Sequence, residues 1–344
     1  MTGIRHDLGS SGAYIQAIEY ALPERRVSND ELAALHPEWQ MDRVFAATGI
    51  ESRHWCGPDE TALDLAERAS RALVERTGFD LNGIDAVLFC TQTPDHPMPP
   101  NACLLQARLG LRTSVAALDF TLACSGFVYG LYLARALVMS GSARHVLLVT
   151  ADTYSRWMNP RDRGPMTLFG DGAAATVVSA GEPKIGSFVL GTDGAGAEKF
   201  VVRAGGARLP RSEATAQPQI DDHGNVRTDE QLRMDGPSIF DFVKQQIPPL
   251  VRSVLASAEL AISDVDLVLF QQASRVSLDH LHRALRVPQR QQFTNIRMLG
   301  NTVSASLPIL LRDAEKEGRL QSGSRAVLVG FGVGLSWGGC IIDW

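Results

Sequence analysis

This chain states one structural pattern twice, and that constrains its fold more than any other feature. Ile84-Asp85-Ala86-Val87-Leu88-Phe89 and Val265-Asp266-Leu267-Val268-Leu269-Phe270 each set an aspartate before an apolar run, the pattern of a buried strand. A second pair follows at nearly the same separation. Ser140-Gly141-Ser142 leads into the apolar run 145–149, and Ser322-Gly323-Ser324 leads into 326–329. Each Ser-Gly-Ser closes a helical stretch, 126–139 in the first half and about 303–318 in the second. Buried strands resemble one another, so a single match would carry little. Two matches in the same order predict duplicated α/β halves, divided at 1–182 and 183–344.

Other segments fit an α/β chain. Helical periodicity runs over 61–77, 238–255 and 278–285. The stretch 205–235 is polar, rich in turn formers and without a clear apolar period. It is expected to be a long loop, and such loops in compact enzymes often serve as lids or partner contacts.

Charge and cysteine usage narrow the function. A net charge of -5 over 344 residues offers no concentrated basic face, so no nucleic-acid partner is expected. The five cysteines (Cys56, Cys90, Cys103, Cys124 and Cys340) lack ligand spacing and read as reduced thiols, not as disulfides or a zinc site. The apolar stretch Gly126–Met139 is broken by Arg135 and is shorter than the ~20 residues that span a bilayer. It reads as a buried helix. The first eight residues hold no apolar run of signal-peptide length, which points to a cytoplasmic protein.

Three motifs are candidates for chemistry. Cys124, in Leu122-Ala-Cys-Ser-Gly126, falls between a strand-like segment, 115–120, and the apolar helix. A thiol at a helix N-terminus feels the positive end of the dipole and free N–H groups, which favour thiolate; Gly126 would leave room for a substrate. Position alone also allows an inert packing cysteine. Gly300-Asn301-Thr302 opens the corresponding helix of the second half. Asn301 offers N–H donors to a carbonyl or enolate oxygen, or simply caps the helix. The glycine-rich run 331–339 reads as a turn between two strands whose N–H groups approach a ligand. A dinucleotide loop would instead open a helix within a βαβ unit. Phe169-Gly-Asp-Gly-Ala173 reads as a structural turn, and His96 as a positional residue of a proline-rich loop.

Together these residues resemble the β-ketoacyl-[acyl-carrier-protein] synthase III family over nearly the whole chain. The markers in order are Thr48-Gly-Ile-Glu-Ser-Arg53, Thr93-Pro-Asp95, Ala123-Cys-Ser-Gly-Phe127, Arg163-Gly164, Phe169-Gly-Asp-Gly-Ala173, Gly300-Asn-Thr302 and Gly330-Phe-Gly-Val-Gly334. The resemblance implies an α/β thiolase fold, a five-layer αβαβα sandwich of duplicated halves assembled as a homodimer. It implies ping-pong chemistry without a metal or a permanently bound cofactor. The substrates would be thioesters of acyl-carrier protein or coenzyme A. Cys124 would carry the acyl group, and the backbone N–H groups of Cys124 and Val333 would form the oxyanion hole. Met98 would reach the acyl pocket of the neighbouring subunit.

The family's cysteine and asparagine match Cys124 and Asn301, but Gln271 stands where its histidine is expected. His280 and His282 lie further on, in a predicted helix. Gln271 could donate an amide hydrogen bond to a thioester oxygen, but it cannot shuttle a proton. Arg43 and Ala47 occupy positions where members that use acetyl-coenzyme A often carry a tryptophan and an arginine; Arg163 is retained. A carrier-bound or longer acyl donor is therefore expected. Arg275, Arg283, Arg286 and Arg290 would contact an acidic carrier protein or form a solvated face. Three readings follow: a condensing enzyme, an acyltransferase to an alcohol or amine, and a non-catalytic partner subunit.

Overall fold

The computed structural model describes residues 12–344; the first eight residues, read above for a signal peptide, lie outside them. Two sheets form the frame. The first runs in the order Gly12–Ala21, Gly172–Gly181, His145–Asp152, Ala86–Cys90 and Ala116–Phe120. The second runs Ile185–Thr192, Ser336–Asp343, Arg325–Gly332 and Leu267–Phe270. Neighbours alternate identically in both: antiparallel, antiparallel, then parallel. The first sheet adds a fifth, parallel strand. At the same edge of the second sheet only a parallel bridge from Val268 to Gln292 is formed.

The repeated sequence signals occupy equivalent places. Ala86–Cys90 and Leu267–Phe270 are buried at every residue, as continuous apolar runs require when helices cover both faces of a sheet. Successive side chains point to opposite faces, so Leu88 and Leu328 face the space between the sheets while Val87, Phe89, Val327 and Val329 face outward. The helices Gly126–Met139 and Ser306–Lys316 fill the middle layer through Phe127, Leu131, Leu307 and Leu310. Ala62–Thr77 covers the first sheet with Leu65, Ala69 and Leu73. Gly236–Ser257 and Arg275–Leu285 cover the second with Leu250, Val254 and Leu281. The result is the five-layer αβαβα arrangement.

Three segments differ from the sequence expectation, each for a local reason. The helix expected from 278 begins at Arg275, because the Ser274 hydroxyl accepts the Ser277 N–H and caps a turn with no apolar signal. The helix expected from 303 starts as a 3₁₀ turn, Val303–Ala305, and becomes α only at Ser306. The stretch 205–235 is not structureless. Gln219–Ile220 pairs with Val226–Arg227, and Arg233–Met234 pairs with Phe200–Val201. Asp221 holds the first pair by accepting from Asn225 and Arg227, and Arg227 also pairs with buried Asp162. Polar interactions order this region, so an apolar period could not reveal it.

The halves meet at Cys124. A Cβ at Gly330 would lie 2.7 Å from the Cys124 carbonyl oxygen and 3.0 Å from the Ser125 Cα, and one at Gly332 would lie 3.2 Å from the Cys124 Sγ. Backbone cannot step aside as a side-chain end can, so Gly330→Ala should cost about 1–3 kcal/mol. Gly206→Ala, with open space around its Cβ position, is the control. Urea denaturation monitored by circular dichroism should show a lower midpoint for Gly330→Ala alone; equal midpoints would mean the contact is not tight.

Candidate active site

A cavity of about 750 Å³ opens beside the junction, and Cys124, Asn301, Gln271 and Arg163 all line it. Cys124 sits in the turn that enters the Gly126–Met139 helix. Below it the Ser125 hydroxyl meets that of Ser336 at 2.7 Å, tying the turn to the last strand. The thiol side chain is buried, the residue being only 5% exposed. The helix N-terminus that favours thiolate is in place, yet desolvation dominates. Burial pushes the Cys124 thiol well above its ordinary pKa, and the nearby Asp152 carboxylate adds to the rise.

The space beside Gly126 is not open to substrate. A Cβ there would meet the Cys90 sulfur at 2.3 Å, and that thiol is fixed by donating to the Leu122 carbonyl at 2.7 Å. Gly126 therefore permits packing of Cys90, correcting the expectation that it clears a path to Cys124.

Asn301 and Gln271 form a locked pair of amides. Asn301 Oδ1 accepts the Val303 backbone N–H at 3.0 Å and the Gln271 Nε2–H at 2.7 Å. A backbone N–H can only donate, so it fixes which end of the Asn301 amide faces it. That in turn fixes Gln271, whose nitrogen must face Asn301 Oδ1. Both readings of Asn301 hold together: its oxygen closes the turn opening the helix, and its side chain lines the cavity. One of the two N–H groups on the Gln271 nitrogen, which was expected to donate to a thioester oxygen, is taken up by Asn301.

The other end of Gln271 is unusual. The residue is 0% exposed, and its Oε1 has no hydrogen-bond partner among the described residues. The adjacent Gln272, equally hidden, is satisfied at both ends. Its Nε2 donates to the Phe270 carbonyl, and its Oε1 accepts from Thr294 and the Asn295 N–H. A buried acceptor without a donor costs about 1–3 kcal/mol.

The remaining predicted residues separate into those at the cavity and those elsewhere. Arg163, at the start of the short helix Arg163–Leu168, lines the cavity, as do Arg43 and Ala47. Gly332 lines it too, while Val333 packs beside the cluster holding Cys124 and accepts a bond from Ser336 at its carbonyl. Arg275 is engaged within the chain: its Nε donates to the Ala46 carbonyl at 3.1 Å and its guanidinium lies over Phe45. Arg283 is exposed, donating to the Asp279 carbonyl of its own helix. Met98 is 81% exposed and does not line the cavity of its own chain. No histidine lines it either. His282 rests against Phe270, its pKa lowered by burial, and His280 packs edge-on against Phe240.

Several parts of the site carried no readable signal in periodicity or spacing. The helix Met41–Thr48 supplies Arg43, Val44, Ala47 and Thr48 to one wall. Met234, Pro237, Ile239 and Phe240 supply another, from the end of the polar stretch and the start of the next helix. Asp152 lies buried beneath, accepting from the Gln92 N–H at 2.8 Å and from Ser304; burial pushes its carboxyl up to about 7. An aspartate ending an apolar strand was the available clue. The Phe169-Gly-Asp-Gly turn is structural in its contacts, Asp171 accepting from the Cys56 and Ser155 N–H groups. Among the described residues no cluster of three or more His, Cys, Asp or Glu could hold a metal, and no helix is long and apolar enough to cross a membrane.

Comparison with known proteins agrees with this geometry. The family model for 3-oxoacyl-[acyl-carrier-protein] synthase III matches residues 118–194, and that for its C-terminal part matches 255–344. A β-ketoacyl-[acyl-carrier-protein] synthase III of Roseiflexus sp. (strain RS-1) is 38% identical over 329 residues, 94% of this chain and 96% of the relative. A crystal structure of a 3-oxoacyl-(acyl-carrier-protein) synthase III superposes with a TM-score of 0.95 at 44% identity, covering 97% of this chain and all of that one. The priming β-ketosynthase of the R1128 polyketide pathway superposes with a TM-score of 0.85 at 30% identity, covering 96% of both chains. With its thiolase fold and with this identity over nearly its full length, the chain belongs to the 3-oxoacyl-[acyl-carrier-protein] synthase III family of condensing enzymes.

Proposed function

We propose that Cys124 takes an acyl group from a thioester and delivers it to a malonyl-type thioester, forming a carbon–carbon bond in fatty-acid or secondary-metabolite synthesis. The observation that carries this reading is the buried thiol at a helix N-terminus, sharing one cavity with Asn301. In the first half-reaction the Cys124 sulfur attacks the thioester carbon, the donor thiol leaves, and the N–H groups of Cys124 and Val333 receive the oxyanion. In the second, loss of carbon dioxide from the malonyl group gives an enolate whose carbon attacks the acyl-cysteine. The Asn301 Nδ2, which donates to no described residue, is a donor available to the enolate oxygen. Gln271 holds Asn301 in that orientation.

The same reading assigns the partners. The wall formed by Arg43 and Ala47 offers no aromatic face for an adenine, which favours an acyl-carrier-protein donor over coenzyme A. Arg163 would meet the phosphate of the carrier's arm, and exposed Arg283, with Arg286 and Arg290, suits an acidic carrier surface. Arg275 would contribute by holding the Met41–Thr48 helix against the mouth. The Ala116–Phe120 strand is an open sheet edge with Leu118 44% exposed. It supports a homodimer joined there, with Met98 reaching the partner's acyl pocket. The halves divide between the Gly172–Gly181 and Ile185–Thr192 strands, at about residue 182, and the protein works in the cytoplasm.

Four measurements check this reading. Intact-protein mass spectrometry with acyl-carrier-protein thioesters should show one acyl adduct, lost in Cys124→Ala; an adduct on Cys56 or Cys90 would reassign the nucleophile. Because burial holds the Cys124 thiol above its ordinary value, its thiolate fraction grows tenfold per pH unit below that raised pKa. The acylation rate should climb with a logarithmic slope of about +1 between about pH 6 and pH 9; a flat profile would require a base in contact with the thiol.

Gln271→His restores a group able to manage protons. Release of carbon dioxide from malonyl thioester should then rise by about 10²–10⁴, read with labelled malonyl substrate. No gain would mean that Asn301 alone sustains the decarboxylation. At the sheet edge, Leu118→Arg should shift the protein from dimer to monomer in sedimentation velocity, and an unchanged mass would place the interface elsewhere.

A further inference from the structure

Arg163 lines the cavity half-buried, and its guanidinium makes no hydrogen bond or ion pair with a described residue. A free guanidinium on a flexible stem has about 2 kcal/mol of rotamer entropy to lose when it takes a ligand. What the fold can fix in advance is the backbone from which that stem starts. Here it is fixed from outside the cavity, by the ribbon in which Gln219–Ile220 pairs with Val226–Arg227.

The grip is continuous along the chain. Asn225 Oδ1 accepts the Arg163 N–H at 3.2 Å, and the Val226 N–H donates to the Arg161 carbonyl at 3.2 Å. The Arg227 guanidinium lies 3.1 Å from the carboxylate of Asp162, which is 2% exposed. Residues 225–227 thus hold 161–163 between them. Asp221 assembles the holding residues without touching the held ones. Its carboxylate accepts the Asn225 N–H and the Asn225 Nδ2–H, each at 3.0 Å, and an Arg227 N–H at 2.7 Å. A carboxylate can only accept, so it takes the nitrogen end of the Asn225 amide. That leaves Oδ1 for the Arg163 N–H, which can only donate.

We propose that this ribbon is a positioning device for Arg163, and that through it Asn225 and Asp221 set a preference for acyl donors whose arm ends in a phosphate. The inference rests on the reading of Arg163 as the phosphate contact and names what makes that contact selective. A guanidinium meets a phosphate best through two parallel N–H bonds, which demand a fixed approach. Loosening the backbone at 163 by about 1 Å spoils that approach. A donor arm without the phosphate does not feel the change.

The test uses the full chain and two hexanoyl thioesters that differ only in the phosphate, those of phosphopantetheine and of pantetheine. Intact mass gives the second-order rate of Cys124 acylation by each, and the ratio of the two rates is the phosphate preference. Asn225→Ala should lower this preference about fivefold, the size of one lost hydrogen bond, with the pantetheine rate unchanged. Asp221→Ala removes nothing bonded to residue 163 and should do the same. Arg163→Ala should abolish the preference, and adding Asn225→Ala to it should change the ratio no further. Ile220→Ala, on the same ribbon but 71% exposed, should keep it. An unchanged pantetheine rate shows that each variant has folded.

The proposal is overturned if Asn225→Ala and Asp221→Ala leave the ratio unaltered or slow both thioesters equally. It is also overturned if the Asn225→Ala effect persists without Arg163, or if Ile220→Ala has an equal effect. In all these outcomes Arg163 can still be the phosphate contact. Full preference in Arg163→Ala would instead remove that assignment and this one with it, and absence of acylation by either thioester would overturn the acyl-enzyme reading as well.

Discussion

The end of the Arg325–Gly332 strand passes so close to the turn bearing Cys124 that glycine is the residue which fits at 330 and 332. Most of the site depends on that approach. The strand belongs to the second sheet and Cys124 to the first half, so their contact brings the two halves together beside the cavity. From the same strand, the Val329 carbonyl accepts the Gln271 N–H at 2.8 Å and fixes where the cavity-lining glutamine begins. Beyond it the chain turns and returns as Ser336–Asp343, whose Ser336 hydroxyl meets Ser125 beside Cys124. A Cβ at Gly330 would press on backbone and one at Gly332 on the Cys124 side chain, and the sulfur, the amides and the glycine turn would lose their common frame.

Burial sets the electrostatics of that frame. Cys124, Cys90 and Asp152 all have their pKa values raised, and in each the largest cause is desolvation. A dry pocket resists the thiolate but accommodates a thioester, which is neutral. The same environment that disfavours a charged sulfur at Cys124 thus tolerates a neutral group there. The buried Asp152 carboxyl, pushed up to about 7, lies between Gln92 of one half and Ser304 of the other. Its hydrogen bonds to both help fasten the helix start that carries Asn301.

Membership in the synthase III family and the glutamine at 271 bear on different levels. The layered α/β thiolase fold follows the family, as the superposition on its solved structures shows. The glutamine, standing where the resemblance places a histidine, changes which hydrogen bonds that position can make. A histidine can donate, accept and move a proton, whereas a primary amide donates from one end and accepts at the other. Here the nitrogen is directed to Asn301 and the acceptor end remains without a partner.

What the sequence determined was everything written in short-range pattern. Continuous apolar runs specified the buried strands 86–90 and 267–270, and the Ser-Gly-Ser pairs marked the matching helix ends. Position before an apolar helix singled out Cys124, and the motif set identified the family. Tertiary structure decided the rest, because the deciding contacts join residues far apart in the chain. Gly126 faces Cys90, Arg275 holds Ala46 across 229 residues, and Gln271 meets Asn301 30 residues away. The helix Met41–Thr48 became a cavity wall only by packing against the second half. Periodicity reports which side of an element is buried. It cannot report which atom of a planar amide faces a partner, since that is set by a single N–H, at Val303, positioned by the whole fold.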